Sequence, residues 1–158
     1  MKIITLRKKI GRALTILSAL VLTLALSISA FPQDIEHPDQ VLEWNQIFID
    51  TLIATNTANS SSQRLGAIVH TAVFDAYNGV ERRYTPIYYT AEAPKGASRR
   101  AAAIAAAYTA LVGLFPSRQP ALHASYLASL EDLSHYENDG QSLHRGIDWG
   151  TEVAQAVL

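Results

Sequence analysis

The chain has 158 residues, a formal charge of −1 and no cysteine. It is 49% hydrophobic and only 17% charged. Those values exclude a disordered polyelectrolyte, a disulfide scaffold and a thiolate metal site. Five of the basic residues (Lys2, Arg7, Lys8, Lys9, Arg12) precede the first acid, Asp34, and eight bases face fourteen acids after Ala30. A chain basic only at its front lacks the folded basic patch that a nucleic-acid binder needs.

The first thirty residues read as an address. A basic stretch to Arg12 is followed by an apolar run, Ala13 to Leu26, broken only by Thr and Ser. Ser27-Ile28-Ser29-Ala30 then offers small residues for cleavage. This is the layout of a secretory signal, so 1–30 is expected to be a signal peptide and the protein to be exported to a periplasm or the extracellular space. The competing reading is an uncleaved anchor, since Ala13 to Phe31 approaches the ~20 residues that span a bilayer. The membrane is then met only through this segment.

Residues 31–158 carry helical periodicity and almost no strand signal. A first helix is expected from about Pro38 to Thr55, with Val41, Leu42, Trp44, Phe48, Ile49 and Leu52 at three- and four-residue steps. Asp39 and Glu43 suit its positive end. A second helix, about Ser61 to Asn78, has the capping-box spacing Ser60 to Gln63 at its start and Gly79 as a left-handed stop. Leu65, Ile68, Val69, Ala72, Val73 and Ala76 form one stripe, and most of the other side is apolar too. A helix of that kind belongs at the centre of a bundle. Val80 to Lys95 is a long connection in which Tyr84, Tyr88 and Tyr89 lay their rings over the bundle, with a short extended piece at Pro86–Thr90. The third helix runs from near Ser98 to before Pro116, uncharged from Ala101 to Phe115, and its alanines admit close neighbours. The fourth runs from about Pro120 to Leu133. The fifth starts near Gln141, with Leu143, Ile147, Gly150, Val153, Ala154 and Val157 on one face. It stops on Val157 and Leu158 without a capping signal, which suggests a fragment of a longer protein. The expectation is an all-α, partial bundle of about five helices with helix two central. The apolar faces of helices three and five would still lack a cover, an invitation to self-association.

Chemistry is sparse. His37, His70, His123, His135 and His144 contain no i, i+4 pair, and HExxH is absent. His70 and Asp75 are five apart on helix two, roughly 140° around it, so they cannot hold one ion together. Each is read as a core polar group that finds a hydrogen bond, or as a single ligand or base. Ser117, Arg118 and His123 could meet a phosphate, or be a cap, an exposed arginine and a surface histidine. Arg82-Arg83 and Arg99-Arg100 are basic doublets, read as solvated faces; the second, at a helix start, could receive an anion. No Gly-rich phosphate loop or GxSxG is present.

Four strings together resemble one family: Val41-Leu42-Glu43-Trp44-Asn45-Gln46-Ile47; Arg64 to Val80, with His70-Thr71-Ala72-Val73-Phe74-Asp75-Ala76-Tyr77-Asn78 the most specific part; Ala101 to Pro116; and Gly146 to Ala154. Their order is similar to the N-terminal half of bacterial vanadium-dependent haloperoxidase-like proteins, in the superfamily of type 2 phosphatidic-acid phosphatases. The likeness implies an all-α bundle and, in complete relatives, a cationic cradle for vanadate. Peroxide and halide, or a phosphate monoester, react there. That cradle comes from Lys-x6-Arg-Pro, Pro-Ser-Gly-His and Ser-Arg-x5-His. None is present: Lys95 is followed at the arginine position by Ala102, Pro116-Ser117 by Arg118, and Ser117-Arg118 by Ala124, with His123 one residue early. No catalytic, cofactor-binding or metal residue is therefore assigned, and no cofactor is expected in this chain. Residues 31–158 are expected to be an incomplete half of the fold, inactive alone, whose partner is the missing C-terminal half. On the resemblance, His70 and Asp75 tie helix two to its neighbours. A phosphatase-type phosphoesterase, or a non-catalytic exported helical protein that binds partners, are the alternatives.

Overall fold

Three of the five helix starts are set by short polar side chains. The structure, a computed structural model, describes residues 39–158; the segment expected to be a signal peptide, 1–30, and His37 lie outside them. Five α-helices follow in order: α1 (Gln40–Ala54), α2 (Asn59–Glu81), α3 (Arg99–Leu114), α4 (Gln119–Ser134) and α5 (Gly140–Val157), with a 3-10 turn, Pro116–Arg118, between α3 and α4. No strand occurs among the described residues, and the piece anticipated as extended at Pro86–Thr90 is an irregular loop. The fold is all-α.

Asp39 accepts the N–H groups of Val41 (2.9 Å) and Leu42 (3.3 Å). Ser98 accepts that of Ala101 (3.1 Å), and Asp139 those of Gln141 (3.0 Å) and Ser142 (3.2 Å). These satisfy donors that a helix start leaves orphaned, so α1, α3 and α5 begin close to where their caps place them. Helix α2 departs from its expected limits. It starts at Asn59 behind Ala58, which makes no side-chain cap, so the Ser60–Gln63 box does not form. It also runs through Gly79 to Glu81, and Arg82 takes the left-handed turn instead, at φ 55°. Gly79 is needed for closeness, not for a turn. A Cβ there would lie 2.5 Å from Cζ2 of Trp149, whose indole N–H donates to the Ala76 carbonyl at 2.9 Å.

Helix α3 is the one that packs against all four others, most extensively against α5 and then α2. This corrects the placing of helix two at the centre. Helix α2 does touch α1, α3 and α5, but its His70 side faces solvent. The reason is side-chain size. Residues Ala101 to Ala107 are alanine except for Ile104, all are buried, and short side chains let several helices crowd one axis. Closeness is greatest against α5. A Cβ at Gly146 would fall 2.3 Å from the Ser98 carbonyl oxygen, and one at Gly150 2.1 Å from that of Ala102. Two glycines one turn apart thus bring α5 onto the α3 backbone, and the apolar faces of the two helices largely cover each other instead of lying open. Larger side chains (Trp44, Phe48, Leu111, Leu122, Leu133, Val153) fill the space around this seam. A partly buried polar link joins the outer pair: Ser129 of α4 donates to the half-buried Glu43 of α1 at 2.7 Å.

Gly150→Ala should therefore cost about 2–4 kcal/mol, because the new methyl must push two backbones apart. Gly140→Ala, where a Cβ meets nothing within 4 Å, should change stability by about 1 kcal/mol or less, toward greater stability. Urea unfolding followed by circular dichroism compares the two. Equal stability of both variants would contradict the seam.

Candidate functional site

The most developed polar arrangement among the described residues lies where α2 meets the loop after it. Asp75 and Asn78 sit one turn apart and are 1% and 4% exposed. Asp75 accepts three consecutive backbone N–H groups, from Ile87 (2.7 Å), Tyr88 (2.7 Å) and Tyr89 (2.8 Å). Asn78 makes a reciprocal pair with Tyr84, donating to its carbonyl (2.8 Å) and accepting its N–H (2.9 Å). Five hydrogen bonds from two buried side chains hold an irregular loop that has no ladder of its own. Buried polar groups of this kind must be satisfied, and here they are.

The clamp hands the chain on to α5. Tyr89 lays its ring against Trp149, with centroids 5.6 Å apart, and its hydroxyl donates to Glu152. That hydrogen bond, with some loss of hydration and the repulsion of the nearby carboxylate, raises the Tyr89 phenol above its ordinary pKa. Beside the clamp is an open cleft of about 270 Å³, lined by Arg82, Tyr84, Pro86 and Thr90 among others. It holds no pairing of a nucleophile with a base.

The sequence candidates fall in separate places. Asp75 is a satisfied core group, as one of its two readings has it. His70 is not a core residue: it is exposed, its ring edge-on to Phe48 at 6.1 Å. His123 is exposed on α4 and meets the Tyr108 hydroxyl at 3.3 Å, beside Tyr126, which stacks on Tyr108 at 4.4 Å. Ser117 is exposed, and Arg118, in the 3-10 turn, is half-buried. Tyr84 lays its ring 6.3 Å from that of Phe74 on α2 while staying 68% exposed, whereas Tyr88, 64% exposed, turns outward. The basic doublets are largely paired. Arg82 bonds Glu92 at 2.7 Å, and Glu81 takes both Arg83 (2.8 Å) and Arg99, the latter also lying over the Tyr77 ring at 5.5 Å.

No group of three metal-ligating side chains occurs among the described residues. Nor do the doublets form a vanadate cradle, which needs several donors converging on one point: Arg82, Arg83 and Arg99 turn to carboxylates. What the sequence did not single out is Asn78 as half of the clamp, Glu81 as a shared acceptor and the Tyr89–Glu152 contact. The first had a visible signal, Asp-x-x-Asn on one helix face before a proline-containing loop. The Glu81–Arg99 and Tyr89–Glu152 contacts join residues of different helices, or of loop and helix, the latter 63 positions apart, and had none.

Asp75→Asn should cost about 2–4 kcal/mol, since an amide oxygen cannot accept all three N–H groups and the amide NH₂ opposes one of them. His70→Ala should stay within about 0.5 kcal/mol. Chemical unfolding reads both, and an Asp75→Asn protein as stable as the parent would remove the clamp from the account. For Tyr89, the raised pKa means that the folded state favours the protonated phenol. The contact's stabilisation is full below the ordinary tyrosine pKa and is lost as pH rises through the folded value. Ultraviolet titration of Glu152→Gln should show one tyrosine ionising earlier than in the parent; an unchanged curve would contradict the contact.

No family model matches the chain, and no curated protein and no solved structure matches it.

Proposed function

We propose that the chain is the scaffold portion of an exported vanadium-dependent haloperoxidase-like enzyme, without the oxyanion cradle. One observation carries this reading. Two strings that bear the resemblance, in helices two and five, lock together in space: Trp149 rests on Gly79 and donates to Ala76, 73 residues away. Within the same string Asp75 and Asn78 hold the loop. Three residues of the most specific string, Asp75, Ala76 and Asn78, thus join helices and loop, as a scaffold requires, while His70 at its head is exposed. Halide oxidation or phosphate hydrolysis then belongs to residues outside those described, and the choice between the two activities goes with them. The partner of this portion is the remaining half of the same fold.

A second reading, a non-catalytic helical protein that binds partners, is favoured by the outward row Leu42, Ile49 and Ile53 on α1, of which Leu42 and Ile53 are 67% and 73% exposed. The nucleotide sequence downstream of codon 158 separates the two. A continuing or singly frameshifted frame that encodes Lys-x6-Arg-Pro, Pro-Ser-Gly-His and Ser-Arg-x5-His supports the scaffold; a stop followed by unrelated sequence supports the second reading. The chain alone should neither brominate with vanadate and peroxide nor hydrolyse a phosphate monoester. Vanadate-dependent bromination abolished by Arg99→Ala or Arg118→Ala would overturn the scaffold assignment.

A further inference from the structure

The loop after α2 spends two buried side chains on its backbone while turning large side chains outward. Tyr84, Ile87 and Tyr88 are 68%, 65% and 64% exposed, with one side of the Tyr84 ring near Phe74 of α2 at 6.3 Å between centroids. Single exposed apolar residues are ordinary, but three within five positions, on backbone held by Asp75 and Asn78, form a fixed display. A display whose backbone is already ordered loses little entropy when something binds to it.

The segment around it is net positive, with Glu152 of α5 the acid that meets it at Tyr89. Between Glu81 and Arg100 lie five bases (Arg82, Arg83, Lys95, Arg99, Arg100) and two acids, whereas the rest of residues 39–158 holds three bases and ten acids. Arg82 is matched by Glu92, but Glu81 is shared by Arg83 and Arg99, so that trio keeps a positive charge. Arg83 is 69% exposed, and Lys95 is also exposed.

We propose that this loop is a membrane-contact surface for an anionic lipid bilayer, with Ile87 and the two tyrosine rings entering the interfacial layer and Arg83, Lys95 and their neighbours meeting the headgroups. Tyrosine suits that depth because its ring is apolar and its hydroxyl stays wet. Basic residues near an anionic surface add attraction that salt screens. Such contact is separate from any made by the N-terminal apolar segment, and it holds whether or not the chain has haloperoxidase-like relatives.

The apolar run Ala13–Leu26 would hold the full chain on any vesicle, so binding alone is no test and the signal must come from the loop. The chain has no cysteine, so Thr85→Cys, at an exposed loop position, takes one environment-sensitive fluorophore on the full-length protein. Vesicles are phosphatidylcholine alone or with a third of phosphatidylglycerol. The expected result is a blue-shifted, brighter emission on the anionic vesicles only, reversed by high salt and abolished by Ile87→Ser with Tyr88→Ser. Arg83→Gln should weaken the response about fivefold, the usual worth of one basic residue at such a surface. If the double variant loses its helical circular dichroism, Arg83→Gln and salt decide. The same emission in buffer and on both vesicles overturns the proposal. So does an equal shift on neutral vesicles, a shift that survives the loop variants, or an equal shift with dextran sulfate and no lipid, which would mark an acidic soluble partner instead.

Discussion

Two side chains on one face of α2, Asp75 and Asn78, determine where the long connection runs. A loop without secondary structure must place its backbone donors somewhere, and a buried donor left unpaired costs about 1–3 kcal/mol. Here Asp75 collects three of them in a row and Asn78 closes the pair at Tyr84. The loop, so held, delivers Tyr89 to Trp149 and Glu152, and Trp149 in turn hangs on the Ala76 carbonyl. One turn of α2 therefore organises the loop, the approach of α5 and the outward display of Tyr84 and Tyr88.

The α3–α5 seam supplies what the clamp cannot, which is mass in the core. Alanine side chains bury little area each, so the stability of α3 comes from how many neighbours it touches. Glycines at 146 and 150 increase that number by admitting backbone contact. Clamp and seam meet at Trp149, buried on the same helix as both glycines. An error at either place moves α5.

Much of this was legible in the sequence, for physical reasons. Period and local caps announce helices, so all five are expected and the start near Ser98 falls in place, whereas Asp39, read within a helix from about Pro38, is its cap. What depends on the partner surface was not legible. Gly79 looks like a helix stop because glycine commonly is one; only Trp149, seventy residues on, shows that it is a contact. The Ser60–Gln63 spacing fits a capping box, yet the helix begins before it. The long apolar face of helix two suggested the centre, but alanine content, which lowers hydropathy contrast while permitting approach, placed α3 there. At the candidate site, Asp75 was correctly allowed as a satisfied core group and His70 was not, because position on a helix face cannot say which neighbours arrive.

Native-state amide hydrogen exchange tests the clamp most directly. The Tyr84, Ile87, Tyr88 and Tyr89 amides lie in an irregular, surface-facing loop, yet each donates to a buried side chain. They should exchange as slowly as the amides in the middle of α2, far more slowly than those of Ala91 and Glu92 in the same connection. Exchange of all six at one fast, loop-like rate would contradict the clamp, and with it the organisation built on it.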